Sequence, residues 1–237
     1  MNTLLTIFTP TYNRAYILPR CYQSLCRQTC KDFIWLVVDD GSTDNTKHLI
    51  DEWKRESIIN IQYIYQQNAG KQRAVNTAVR NCKTEFFAFL DSDDFYEDYT
   101  VERFIKIFTI IVNNPSIAGV VARRGTPDRK IIGTQYLPYK EFIDNMDRVI
   151  KKYKFFGDTC RAYKTNILKE HLYPEIADKF IPEDYMLSSI DQNYDLYFVN
   201  EIFSVSEYLT DGYTKNVQKL YKNNPFGVAL AYNQLTI

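Results

Sequence analysis

From Leu4 onward the chain alternates short apolar runs with longer polar stretches whose apolar residues recur at helical spacing. Leu4 to Phe8, Ile34 to Val38, Ile61 to Tyr65 and Glu85 to Leu90 read as strands, and Ala15 to Arg27, Thr43 to Glu56 and Gln72 to Asn81 as the helices between them. Strand-helix-strand repetition predicts an α/β fold with a Rossmann-like, mostly parallel central sheet flanked by helices. In such sheets ligands sit outside the carboxyl ends of the strands, so the residues just past each apolar run are the ones to read for chemistry. Beyond Asp94 the alternation weakens. Val101 to Val112 reads as a helix, Ile117 to Ala122 as a strand and Gly125 to Gly133 as a loop, with no linker or repeat between them, so the sheet is expected to continue into a mixed lobe. Pro182, Glu183 and Asp184 suit the first turn of a helix whose buried face is Tyr185, Leu187 and Ile190. Asn216 to Ile237 is polar-aromatic and reads as a mobile tail.

With 237 residues, 45% of them hydrophobic, the chain can bury a sizeable core. Lys+Arg 29 balances Asp+Glu 29, so no net field draws it to nucleic acid, and phosphate recognition has to be local. The 19 tyrosines and 15 phenylalanines could stack on sugars or bases, but most suit the core and half-buried surface. Five cysteines, Cys21, Cys26, Cys30, Cys82 and Cys160, contain no CxxC pair and lie far from His48 and His171, which suggests neither a disulfide framework nor a zinc site. The start MNTLLTIFTP lacks the features of a signal peptide, and a reducing, cytoplasmic location is expected. The most apolar run, Phe104 to Val112, is broken by Lys106 and falls short of the roughly 20 residues that cross a bilayer.

The strand ends are rich in chemistry. Thr9-Pro10-Thr11-Tyr12-Asn13-Arg14 offers a ring, hydroxyls and a guanidinium, or simply a structural turn. In Asp39-Asp40-Gly41-Ser42-Thr43-Asp44, one carboxylate could accept the imide N–H of a uracil, while Gly41 permits a tight turn and Ser42 or Thr43 caps the next helix. Asn68-Ala69-Gly70-Lys71-Gln72-Arg73 brings a glycine turn and two cations to a helix start, either a diphosphate contact or a solvated helix end. Strongest is Asp91-Ser92-Asp93-Asp94, where three carboxylates at a strand end raise one another's pKa unless a cation or donors compensate. Mg²⁺ or Mn²⁺ is the natural compensation, since one acid would suffice for a helix cap.

In order, TPTYNR, DDGSTD, NAGKQRAVN, DSDD and the Glu183-Asp184 pair of IPEDYML resemble the family 2 glycosyltransferases of the GT-A fold, over residues 3 to about 215. The resemblance implies one domain over residues 1–215, with a nucleotide-binding half at 1–98 and a mixed, acceptor-binding half at 99–215. It places Thr9, Pro10 and Tyr12 against the nucleoside and Asp40 on the base, with Arg14, Gly70, Lys71, Arg73 and Ser92 also near the nucleotide. By the same likeness Asp91 reaches the ribose, Asp93 ligates Mg²⁺ or Mn²⁺ on the diphosphate, and Asp94 touches the sugar or stands behind the metal ligand. Asp184, with Glu183 as the alternative, is implied to deprotonate the acceptor hydroxyl in an inverting transfer from a nucleotide-sugar donor, UDP-linked by expectation, to a glycan or lipid-linked glycan.

The QxxRW motif of processive members is missing, because Trp35 and Trp53 lie upstream and Gln192 is followed by Asn-Tyr-Asp; one sugar per encounter is expected. Gly212 to Lys215 stands where relatives carry a loop over the donor, and Lys215 could touch phosphate there or lie on a plain surface loop. Arg123-Arg124 with Arg129-Lys130, and Lys151 to Phe156, read as solvated faces or as contacts to a lipid acceptor or anionic membrane. Two other functions share this chemistry. A sugar-phosphate nucleotidyltransferase would need a glycine-rich loop after the first strand, and TPTYNR has none; a non-catalytic nucleotide-binding partner subunit would not need Glu183-Asp184.

Overall fold

A computed structural model describes residues 3–207 and 213–235. The expected alternation is present: β1 (Leu5–Thr11), α1 (Leu18–Cys26), β2 (Phe33–Asp39), α2 (Thr46–Glu56), β3 (Asn60–Tyr65), α3 (Lys71–Asn81) and β4 (Phe86–Phe89). A two-residue β5 (Phe95–Tyr96) leads to α4 (Thr100–Ile111) and β6 (Ile117–Gly125). There follow β7 (Glu141–Asp144), α5 (Met146–Tyr153), β8 (Thr159–Lys164), α6 (Thr165–Glu170), α7 (Asp184–Asp191), β9 (Asp195–Val205), α8 (Tyr213–Asn223) and α9 (Pro225–Leu235).

Among the described residues one sheet runs β3-β2-β1-β4-β8-β6-β9-β5, with β7 beside β9. β1 to β4 are mutually parallel; β8 enters antiparallel to both β4 and β6, while β6 and β9 are parallel. This is the expected sheet with a mixed second half. β1 outruns its predicted end at Phe8 and carries Thr9 and Pro10 inside the strand. Pro10 is tolerated in a central strand because Phe8 pairs with Phe89 and accepts from Leu90 N–H at 2.9 Å, so β4 has stopped before the Pro10 position needs a donor.

Apolar side chains fill both faces of the sheet. One core joins Ile7, Trp35 and Phe86 to α1, α2 and α4, with Tyr22 stacked on Trp53 at 4.3 Å. The other joins Phe8, Val38 and Phe87 to α3, α5, α6 and α7. The five cysteines are free thiols, with Cys21, Cys82 and Cys160 buried in these cores. Among the described residues no helix is long and apolar enough to cross a membrane.

Two readings change. The stretch from Asn216, expected as a tail, contributes most of α8 and α9; Ala231 is buried, and a side chain at Gly227 would lie 2.1 Å from the Phe180 carbonyl oxygen. Tyr213 to Lys215 open α8 rather than forming a loop, while Gly212 lies outside the described residues.

Candidate active site

The turns after β1 and β2 are stitched together. Asn13, in the left-handed region at φ 53°, takes its N–H to Ser42 Oγ (2.8 Å) and accepts from Thr43 N–H (2.8 Å), while Asp44 accepts from Ala15 N–H at 2.9 Å. Asp44, not Ser42 or Thr43, supplies the cap, taking Thr46 N–H at 3.0 Å. Tyr12 projects from this pair of turns half-exposed, and the Arg14 guanidinium donates to the Tyr16 hydroxyl at 2.6 Å. Thr9 is not at the surface: fully buried, it accepts from Trp35 Nε1 at 2.9 Å and serves the core instead of flanking a nucleoside.

Asp39 and Asp40 are both spoken for. Asp39 accepts from Ser42 N–H and the Tyr63 hydroxyl, each at 2.7 Å. Asp40 takes Gln66 Nε2 (2.7 Å) and Ala69 N–H (2.9 Å) on one oxygen, and Asn68 Nδ2 (3.1 Å) and Gly70 N–H (2.8 Å) on the other. Four donors engage both oxygens of the carboxylate, so Asp40 holds the 66–70 loop. The Gly70 N–H is likewise consumed. Its φ of +98° and the 1.9 Å separation between a would-be Cβ and the Lys179 carbonyl oxygen show that glycine is needed here for the close approach of the chain's own backbone.

α3 has two jobs. Its polar residues grip the segment that crosses it: Gln72 and Arg73 donate to the carbonyls of Ile181 and Ile176, and Asn76 exchanges two bonds with Tyr173 at 2.8 and 3.0 Å. Arg73, expected at the nucleotide, is thus a strut for the strap over residues 171–182. That strap delivers Glu183 and Asp184 to the start of α7, facing the end of β4. Lys71 points instead into a cleft of about 230 Å³ lined also by Asp91, Arg124, Asp158, Arg161, Glu183 and Asp184. Its ammonium sits 2.7 Å from Asp91 and 2.6 Å from Glu183.

The acids after β4 are unevenly compensated. Burial works against ionising Asp91, but the Lys71 and Arg124 cations outweigh it and hold its carboxyl below the usual range. Asp93, half-buried, is raised by burial and then by the Asp91 charge. Asp94 is pushed up to about 7 by burial, against Arg124 and with Asp91 adding to the rise. Its Oδ2 lies 3.3 Å from Arg124 yet has no hydrogen-bond partner among the described residues. Ser92 is buried between these acids. A buried Asp94 oxygen without a hydrogen bond, with Asp93 as a second carboxyl held above its usual pKa, suits a hard divalent cation. Among the described residues no group of three or more His, Cys, Asp or Glu could hold one alone, so other oxygens, such as a donor's phosphates, would have to complete the shell.

Arg124 and Arg161 were not anticipated. The Arg-Arg pair at the predicted end of β6 is inside the protein: Arg123 is 2% exposed, with its guanidinium 5.1 Å from the Phe155 ring, and Arg124 faces Asp94. β6 continues to Gly125, three residues past Ala122, and carries both into the interior. Arg161, in β8, binds the Tyr163 hydroxyl at 2.8 Å and Asp191 at 3.1 Å along the wall of the cleft. Only Arg129 and Lys130 of the first basic cluster are exposed, paired with Glu97 and Asp128.

The sequence model of glycosyl transferase family 2 matches residues 6–172, from β1 into the strap. The chain belongs to glycosyl transferase family 2. Among curated relatives of this family, it is 27% identical to a teichoic acid poly(glycerol phosphate) polymerase of Staphylococcus epidermidis over 220 residues, 87% of this chain and 30% of that protein. It is 39% identical to a chondroitin synthase of Escherichia coli over 99 residues, 42% of this chain and 14% of that one. The chain therefore spans a third or less of the length of these relatives. In three dimensions it is similar to TarS residues 1–349 of S. aureus (TM-score 0.68, 18% identity, 98% of this chain and 71% of that one), a protein also solved with UDP-GlcNAc. The mannosyltransferase PcManGT of Pyrobaculum calidifontis, in complex with GDP-Man and Mn²⁺, is similar too (TM-score 0.64, 18% identity, 98% and 74%). These two share the GT-A fold with the family 2 chain.

Proposed function

We propose that this chain transfers a sugar, with inversion, from a nucleotide-diphosphate donor to a hydroxyl of a glycan or lipid-linked glycan at the cytoplasmic face of the membrane, with Mg²⁺ or Mn²⁺ bound. The observation that carries the reading is the convergence, in one cleft, of Asp91, Lys71, Glu183 and Asp184, brought from the end of β4, the start of α3 and the start of α7. Support comes from the family match and from neighbours of the same fold solved with UDP-GlcNAc or with GDP-Man and Mn²⁺. Residues 1–98 form the donor half and 99–215 the acceptor half of a domain over residues 1–215, with α9 packed on α7.

In this scheme Pro10 and Tyr12 border the nucleoside, Ser92 and Asp91 meet the ribose, and Arg14 and Lys71 face the diphosphate. Asp93 is the protein ligand of the divalent ion, and Asp94, backed by Arg124, stands behind it or meets the sugar. The ion supplies Lewis-acid stabilisation of the departing diphosphate. Asp184 takes the acceptor's proton as its oxygen bonds to the anomeric carbon and the carbon–phosphate-oxygen bond breaks. Glu183 is the poorer base because Lys71 holds it in an ion pair, whereas no cation among the described residues pairs with Asp184.

Screening nucleotide sugars for thermal stabilisation tests the donor, since a ligand at 100 times its Kd adds about 2.7 kcal/mol. With the donor found, Asp184→Asn is expected to retain its binding and lose turnover by roughly 10²- to 10⁴-fold. Undiminished turnover in Asp184→Asn would remove that residue from the chemistry, and release of pyrophosphate would replace transfer with nucleotidyl chemistry.

A further inference from the structure

The second basic cluster, Lys151 to Phe156, takes no part in the cleft. It belongs to a surface over residues 134–156 with an unusual load of exposed rings: Tyr136 is 74% exposed, Tyr139 58% and Phe156 68%, accompanied by Ile143 and Ile150. These positions are tied together. Thr134 N–H donates to the Phe156 carbonyl and Phe156 N–H to Thr134 Oγ1, both at 2.9 Å. Tyr139 lies 6.0 Å from Phe142, Phe142 lies 6.2 Å from Tyr153, and the Lys152 ammonium sits 5.1 Å from the Tyr153 ring.

Charge on this surface is lopsided. Glu141 turns inward to Arg103 and the Tyr197 hydroxyl, Asp144 is bound by Arg148, and Asp147 by Lys151. Among the described residues exposed Lys152 and Lys154 form no ion pair, and the carboxylate that Lys152 feels, Asp144, is already bound by Arg148. Exposed tyrosine and phenylalanine beside exposed lysines without ion pairs match the boundary of an anionic bilayer, where rings enter the headgroup layer and ammonium groups meet lipid phosphate. The surface also leads directly to the cleft, because Gly157, Asp158 and Thr159, the next residues, line it.

We infer that residues 134–156 dock the protein on a bilayer rich in anionic headgroups, setting the mouth of the cleft against the lipid surface. The inference rests on the transfer reading for its purpose, though not for the binding itself. A lipid-linked acceptor would then be met at the surface that carries it.

The test is co-sedimentation of the full chain with phosphatidylcholine vesicles, with and without about a third phosphatidylglycerol, at low and high salt. The wild type is expected to bind only the anionic vesicles, and less at high salt. Lys152→Ala with Lys154→Asn, the asparagine suiting the left-handed backbone at φ 53°, should weaken binding roughly 30-fold. Tyr136→Ser with Phe156→Ser should weaken it at least about tenfold. Nucleotide-sugar hydrolysis without vesicles should match wild type in both double variants. Equal binding to neutral vesicles, no binding to anionic ones, or wild-type binding by the aromatic pair would overturn the inference, as would a dimer abolished by these changes. Hydrolysis absent from every protein, with vesicle binding intact, would instead remove the transfer reading and leave the docking.

Discussion

Two acidic clusters stand at strand ends on either side of β1, Asp39-Asp40 after β2 and Asp91 to Asp94 after β4, and they have opposite hydrogen-bond accounts. At β2 each carboxylate oxygen is matched to donors of the protein itself, four of them on Asp40. At β4 Asp91 is offset by Lys71, while Asp93 and Asp94 are left with raised pKa values, and one Asp94 oxygen has the Arg124 ion pair but no hydrogen bond among the described residues. Composition cannot separate the two. What separates them is whether the fold has spent its donors, and only the cluster with acceptor capacity left over can bind something further.

The sharpest way to break this contrast is to truncate one acid from each cluster. Asp40→Ala takes the acceptor from two part-buried backbone N–H groups and the Gln66 amide, and should cost about 2–4 kcal/mol in urea denaturation. Asp93→Ala removes a repelled carboxylate and should leave the metal-free protein within about 0.5 kcal/mol of wild type, or more stable. Equal losses would erase the distinction. Next in size is the pH dependence of the metal-free protein in chelator. A carboxyl raised in the folded state binds more protons there than in the unfolded chain, so the stability it contributes is present below the unfolded pKa and is lost as pH rises to about 7 for Asp94. Asp94→Asn should therefore flatten the fall in stability between about pH 4 and 7, and an unchanged slope would show that Asp94 is not the group titrating. Smallest is Lys71→Met, which leaves Asp91 and Glu183 unpaired in the cleft. With burial opposed only by the remaining cations, the Asp91 pKa should rise, an effect visible by carboxyl NMR with the fold intact.

The donor half was legible because each of its elements announces itself locally: apolar runs of strand length, helical spacing between them, and polar residues at the strand ends. The insertion of β8 between β4 and β6 was not, since antiparallel pairing such as Phe87 with Tyr163 joins residues far apart in sequence and leaves no local mark. At the site, Asp91, Lys71 and Asp184 were legible as residues and are brought together in space. Their surroundings were not. Arg124 reads as surface charge until β6 is seen to run three residues farther, and Asp40 and Arg73 look available until the backbone groups they hold are known. Patterns of residue type show which groups exist; they do not show which are already bonded.

Titration calorimetry of UDP into the wild type and Asp93→Ala, each with and without Mn²⁺, tests the central claim most directly. The wild type should bind UDP far more tightly with the metal, and Asp93→Ala should lose that gain while remaining folded. Metal-supported UDP affinity unchanged in Asp93→Ala would contradict the assignment of the β4 cluster as the place where the nucleotide and its cation are held.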